Sequence, residues 1–354
     1  MTDSDVSIYA IVTKPAGFSR RSGLFPLTES LGARPCLYRK WWPRVLRVSW
    51  RAGHILRVWG QRWYHSEWNA LVPILHDVWL RQVIPGGRSI AHFLFAEFAA
   101  PRNAAPLRRR GAIVVGTFHA SVRRQEQVHG SYPLENFDWI TVVSKSQLSF
   151  FTSRGYPEER LRVTYHGVDT DYFRPLPERV PSSDKRLHLL LVGSTERDHP
   201  FMASVCRKLP AKDFEVTILT SKGQHGQYAG IDSVRMPGHL ADEGLLRAYQ
   251  KADILVMPML DCTANNAILE AMACGTPVMA NRVGGIPEYV SEECNFLIED
   301  KNVDDWVARL DAIRCDPGSL ESLRPRVRSW AERFAWPVVA ESFREVYSEA
   351  LTND

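Results

Sequence analysis

A chain of 354 residues that is 45% hydrophobic holds enough apolar material for one large core or two ordinary ones, which excludes a disordered chain. Its net charge of +4 conceals an asymmetry, because residues 1–177 carry a net of +11 and residues 178–354 a net of −7. A basic half joined to an acidic half points to two domains with different partners.

In chain order, SIYAIVT (7–13) reads as a buried first strand, followed by the loop KPAGFSRRSG and a helix from Leu24 to Leu31. The short apolar runs SIAHFLFA (89–96), AIVVGTFH (112–119) and WITVVS (139–144) are each followed by a stretch that can be helical, and RLRVTYHGVD closes the set. This alternation predicts a mostly parallel sheet covered on both faces. The Pro-, Ser- and charge-rich segment 174–186 reads as a linker. After it the pattern restarts with strands at 187–194, 214–221, 233–240, 253–260, 276–282 and 295–299, with LLRAYQKA and VDDWVARLDAI among the intervening helices. Two doubly wound sheets joined in this way place a cleft outside the carboxyl ends of their strands.

Between the first helix and the second strand of that reading lies the most unusual composition in the chain. Residues 38–68 hold six tryptophans, seven Lys and Arg, and one Glu. Pro43 can open a helix. After it Val45, Val48, Ala52, Ile55, Trp59 and Trp63 recur at threes and fours, beside a strip of Arg44, Arg47, Arg51 and His54. Three readings compete: a packed helix of an ordinary α/β domain, an amphipathic helix lying on an anionic membrane surface, and a tryptophan-lined carbohydrate groove. No recognition module for nucleic acid accompanies it, so nucleic acid is not expected as a partner.

Six cysteines lack metal-ligand or disulfide spacing, and no positively charged apolar leader opens the chain. A cytoplasmic setting is expected, with peripheral contact on the inner face of the cell membrane left open. No run approaches the ~20 apolar residues of a spanning helix.

The chemistry concentrates after DILVMPML, where Asp261, Cys262, Thr263, Asn265 and Asn266 lead into AILEAMA. Thr or Asn before such a run caps a helix, whose unpaired N–H groups can hold an anion. Glu270 lies on that helix at i+4 from Asn266, and a buried carboxylate there needs hydrogen-bond donors. Gly284 and Gly285 can bring backbone N–H groups close to a ligand.

This segment, ILEAMACGTPVMANRVGGIPEYV, closely resembles the donor-nucleotide signature of the retaining family 4 glycosyltransferases of the GT-B fold. HGVDTDYFRP (166–175) is similar to the segment that leaves the first domain in those enzymes, and GHLADEGLLRAYQKADILVMP to the stretch that passes the base and enters the donor site. The resemblance implies an α/β architecture of two Rossmann-like domains facing across a cleft. It assigns 1–176 to acceptor binding and 185–330 to donor binding, with a C-terminal helix at 330–350 as a candidate to cross back. It further implies a nucleotide-sugar substrate (UDP- or GDP-sugar), no separate cofactor, no metal, and a glycan or lipid-linked acceptor.

Residue by residue, the resemblance places Glu270 on the ribose hydroxyls, and Asp261, Thr263, Asn265, Asn266, Gly284 and Gly285 by the phosphates and sugar. His239 and Leu240 fall beside the base, and His119 points from the first domain at the donor sugar; Gly23 is expected on the acceptor side, as is Glu97, which sits past a strand end in HFLFAEFAA. Glu97 has an equally strong alternative as a surface carboxylate. Two positions depart from the pattern. Cys262 stands eight residues before Glu270, where the family has a second glutamate, and a neutral thiol accepts hydrogen bonds poorly. Gly193-Ser194 stands where Gly-Arg is usual, with His199 near the place of a Lys. Arg197 is then the permanent cation expected to hold the diphosphate, helped by His199 when protonated. Two further readings remain open, a nucleotide-sugar epimerase of the same fold and a silent nucleotide-sugar binding protein.

Overall fold

Strands covered by helices on both faces are buried from both sides, so they must be short continuous apolar runs. The computed structural model describes residues 6–12, 21, 25–37, 79–99, 101–129, 133–178, 186–299 and 301–353, and shows two such sheets. The first comprises β1 (Ser7–Val12), β2 (Arg34–Leu37), β3 (Ser89–Phe93), β4 (Ile113–Phe118), β5 (Trp139–Val142) and β6 (Leu161–Val163), in the order β2-β1-β3-β4-β5-β6. The second comprises β7 (Leu187–Val192), β8 (Phe214–Leu219), β9 (Val234–Arg235), β10 (Ile254–Met257), β11 (Val278–Asn281) and β12 (Phe296–Ile298), in the order β12-β11-β10-β7-β8-β9. Every pairing is parallel. These are two Rossmann-like α/β domains, the arrangement of the GT-B fold.

Strand order reverses beside β1 in the first sheet and beside β7 in the second, and ligands bind outside the carboxyl ends at such switch points. In the second sheet the loops that leave the adjacent strands β7 and β10 therefore carry the site, and they contain Arg197 and Asn265.

Two elements differ from the sequence reading. β2, RPCL, was not anticipated, because an edge strand of four residues with Arg and Pro carries almost no strand signal. The expected strand at 233–240 shrinks to Val234–Arg235, since Pro237 and Gly238, the latter at φ +86°, take the chain into a loop. Val168 and Phe173 already pack in the core of the second domain, so the chain has changed domains ahead of residue 174. The segment 38–68 and Gly23 lie outside the described residues.

The final helix, Trp336–Thr352, starts beside the second domain and packs on the first sheet. Trp336, Val339, Phe343, Val346 and Tyr347 share one buried face, set against Ala10, Ile90, Val115 and Trp139. Arg162 bonds Glu349 at 2.7 Å and so closes the far end. The first sheet would otherwise expose that face, and Phe343 is only 2% exposed. Phe343→Ala should lower the stability of the first domain by about 3–5 kcal/mol, read as an earlier urea transition. A loss under ~1 kcal/mol would show that the helix does not seal this face.

Candidate functional site

Asn265 leaves β10 in an extended conformation and caps the helix Asn266–Ala273, its Oδ1 accepting the Ile268 N–H at 3.3 Å. The same oxygen accepts from Arg197 Nη2 at 3.2 Å. Arg197 also donates through Nε to the Val192 carbonyl at 3.0 Å and through Nη1 to the Thr195 carbonyl at 2.7 Å. A guanidinium carries more donors than these three bonds use, so Arg197 both clamps the two switch-point loops and keeps N–H groups for a ligand. Burial lowers its pKa from 12.5, opposed by nearby Cys262, Tyr249, Glu270 and Glu196. Gly193, at φ +100°, makes room for it: a Cβ there would lie 2.6 Å from Arg197 Nη2.

Around this clamp the expected residues divide. Glu270 is 4% exposed, and its Oε2 accepts from Tyr249 Oη at 2.8 Å, a partner that the sequence reading missed. Cys262 is buried with its thiol pushed up to about 12, so it stays neutral beside Arg197. Asp261 turns back on its own loop, Oδ1 accepting the Cys262 N–H at 2.7 Å. Gly285 donates its N–H to the Cys262 carbonyl at 2.8 Å, and a Cβ on either Gly284 or Gly285 would collide with the Cys262–Thr263 backbone. The glycine pair therefore packs two loops together. Ser194 Oγ accepts from the Ser221 N–H at 2.9 Å. His239 is exposed and Leu240 half-buried on the loop before the helix Asp242–Lys251.

His199 corrects an expectation. It is 1% exposed, with Nδ1 bonded to Tyr228 Oη at 2.7 Å and Nε2 to Thr220 Oγ1 at 3.2 Å. Burial lowers its pKa, so it is a neutral core histidine and not a second cation for a diphosphate. No spacing in the sequence distinguishes the two roles.

From the first domain, His119 leaves β4 and faces these loops. Both its ring nitrogens are buried and make no hydrogen bond. Burial, then His166 and His92, drives its pKa well below 6.5. Glu97 is 2% exposed and no surface carboxylate: its Oε1 accepts the His119 and Ala120 N–H groups, each at 2.9 Å, and so shapes the loop that aims His119. Thr263 does not cap, since its hydroxyl crosses the cleft to the His119 carbonyl at 2.5 Å. Further ties join the domains. Ser144 Oγ donates to Glu288 Oε1 at 2.5 Å, Tyr289 Oη donates to the Val143 carbonyl at 2.5 Å and accepts the His166 N–H at 2.8 Å, and Arg123 pairs with Glu196. Ser144, Glu288 and Tyr289 sat unremarked in the sequence because only the closed cleft joins them. Among the described residues no group of His, Cys, Asp and Glu could hold a metal ion.

Residues 174–316 match the family model described as Glycosyl transferases group 1. The chain is 29% identical over 254 residues to the MMP alpha-(1->4)-mannosyltransferase of Mycolicibacterium hassiacum, covering 67% of this chain and 59% of that protein. It is 35% identical over 121 residues to the D-inositol 3-phosphate glycosyltransferase of Streptomyces bingchenggensis, covering 34% and 27%. The matched stretches thus span less than two thirds of either relative. HepE of Anabaena in complex with UDP-glucose superposes with a TM-score of 0.71 at 15% identity, over 97% of this chain and 99% of that one. A glycosyltransferase from Rickettsia africae does so with 0.70 at 16%, over 99% of each. At these identities the structural likeness is one of fold.

Burial raises the Glu97 pKa from 4.5 to about 7, against the pull of its backbone hydrogen bonds. The folded protein thus holds a proton that the unfolded chain releases, so this contribution to stability is full below pH 4.5 and is lost as pH rises through 7. Glu97→Gln keeps an acceptor for both amides and should flatten that part of the stability profile, measured as urea midpoints from pH 4.5 to 8. An unchanged slope would mean that Glu97 is ionised in the folded protein throughout.

Proposed function

We propose that this chain is a retaining glycosyltransferase that moves a hexosyl group from a nucleoside diphosphate sugar to a hydroxyl of a glycan or lipid-linked acceptor. The observation that carries the reading is the Arg197 guanidinium held at the capped end of the Asn266–Ala273 helix, across the cleft from His119. The family match over 174–316, the glycosyltransferase relatives and the UDP-glucose complex of HepE support it. A UDP- or GDP-sugar is the donor on this reading.

In the transfer the bond from the anomeric carbon to the diphosphate oxygen breaks and a bond to the acceptor oxygen forms on the same face. The acceptor proton passes to the departing diphosphate oxygen. Negative charge grows on that oxygen, and positive charge on the sugar ring. Arg197 and the helix N–H groups are preorganised where the former develops, which lowers the barrier without a metal. Neutral His119 faces the sugar and can exchange hydrogen bonds with its hydroxyls. Glu270, already holding Tyr249, contributes its carboxylate to the ribose.

Cys262 favours a second reading, binding without turnover, since a buried neutral thiol replaces a carboxylate next to the site. The basic tryptophan segment 38–68 extends the main reading to an anionic membrane surface on the cytoplasmic side. No described helix is long and apolar enough to cross a membrane.

Thermal-shift screening against UDP-, GDP-, ADP- and dTDP-sugars, followed by mass spectrometry of products with the best binder, should reveal sugar transfer or slow donor hydrolysis. Binding with neither would select the silent reading. Arg197→Ala should reduce turnover by ~10²–10³-fold, as loss of a preorganised charge partner does. An unchanged rate would remove Arg197 from the diphosphate.

A further inference from the structure

His92, His119, His166 and His199 carry buried ring nitrogens, and they offer an internal comparison in which His166 Nε2 is also unbonded. His92 has both ring nitrogens bonded, Nδ1 to Tyr347 Oη at 2.6 Å and Nε2 to Thr117 Oγ1 at 2.6 Å, and His199 is pinned the same way by Tyr228 and Thr220. His119 has neither nitrogen bonded. A functional imidazole is ordinarily oriented by a hydrogen bond at its other nitrogen. Here something else must set the ring plane.

The constraint visible around His119 is a file of rings along the carboxyl ends of the first sheet. Phe95 lies against His119 with centroids 4.3 Å apart. His166 meets the same imidazole edge-on, at 5.5 Å and 87°. Trp336 in turn meets His166 at 5.1 Å and 79°. Each outer ring is anchored independently. The Trp336 ring lies where a Cβ on Gly167 would be, and the Trp336 backbone N–H bonds the Val168 carbonyl at 3.2 Å. His166 donates its backbone N–H to Tyr289 Oη at 2.8 Å, while its ring Nε2 is buried without a partner. Tyr289 belongs to the core of the second domain, so the segment that carries His166 is held from there.

We propose that His166 and Trp336 are positioning residues for His119: their rings, with Phe95, fix the plane of an imidazole whose nitrogens are kept for the transferred sugar. Packing does here what a hydrogen bond does at His92. Closure of the cleft and the aim of His119 are then coupled, because the His166 backbone is held by Tyr289 from the opposite domain.

The inference rests on the proposed transfer only for its kinetic arm. Two variants separate ring from polarity: His166→Phe keeps an aromatic ring, and His166→Asn keeps a polar side chain and removes the ring. Full-length protein labelled with ¹³C-histidine reports the His119 ring directly, its signal assigned by loss in His119→Gln. One sharp His119 signal is expected in the wild type and in His166→Phe, with broadening or doubling in His166→Asn.

With a turned-over donor, His166→Asn should lower kcat by ~10–100-fold while leaving the donor KM unchanged, as misplacement of a reacting group does. His166→Phe should stay well above it. The double variant His119→Gln/His166→Asn should be no slower than His119→Gln alone, because a residue acting through His119 has nothing left to act on. Multiplying losses, or rescue by Asn and not by Phe, would overturn the proposal. A normal response of the ring signals without turnover of any donor would instead count against the transfer reading and leave the positioning role standing.

Discussion

One half-buried guanidinium organises the switch point of the second sheet. Arg197 bridges the loop after β7 and the cap of the helix after β10, the two loops that open where the strand order of the second sheet reverses. A charge taken out of water must find partners or become costly, and Arg197 finds carbonyls and a capping amide without spending all its donors. The capping oxygen of Asn265 is shared between Arg197 and the helix, so the cation and the helix N-terminus are held as one positive unit. Gly193 is the steric condition for this, since any side chain would displace the guanidinium.

The first domain is shaped to meet that unit. Glu97 is buried under the loop that carries His119 and gathers two of its amides, while the Thr263 hydroxyl takes the His119 carbonyl from across the cleft. Tyr289 and Glu288, on the short helix after the glycine pair, lock onto Val143 and Ser144. The closed arrangement therefore buries His119 with unbonded nitrogens, a state whose desolvation a hydroxyl-rich ligand would offset. The returning C-terminal helix matters to the site as well as to stability, because Trp336 at its start completes the ring file while Phe343 and Tyr347 seal the sheet behind it.

Substituted positions illustrate how the local environment, not residue type, decides a role. Cys262 occupies the place of an expected carboxylate and is held as a thiol by burial. His199 sits near the place of an expected cation and is held neutral between Tyr228 and Thr220. Arg197 is thereby left as the cation at the helix cap, and Glu270 as the buried carboxylate on that helix.

Much of this was legible from residues alone. Apolar runs of four to six residues marked most strands, Asn265 before AILEAMA announced the cap, and Gly284-Gly285 announced a close approach, though of two loops to each other. These are local signals, because period, capping and backbone freedom act over a few residues. What the sequence by itself determined was thus the α/β alternation, the helix whose end faces the cleft, and the family likeness of its donor segment. Tertiary structure alone decided which groups meet: Arg197 reaches Asn265 across 68 positions, Thr263 reaches His119 across 144, and His92 reaches Tyr347 across 255. No periodicity spans such separations. Strand order and domain closure do, and they made His199 a core residue and left His119 to be aimed by its neighbours' rings.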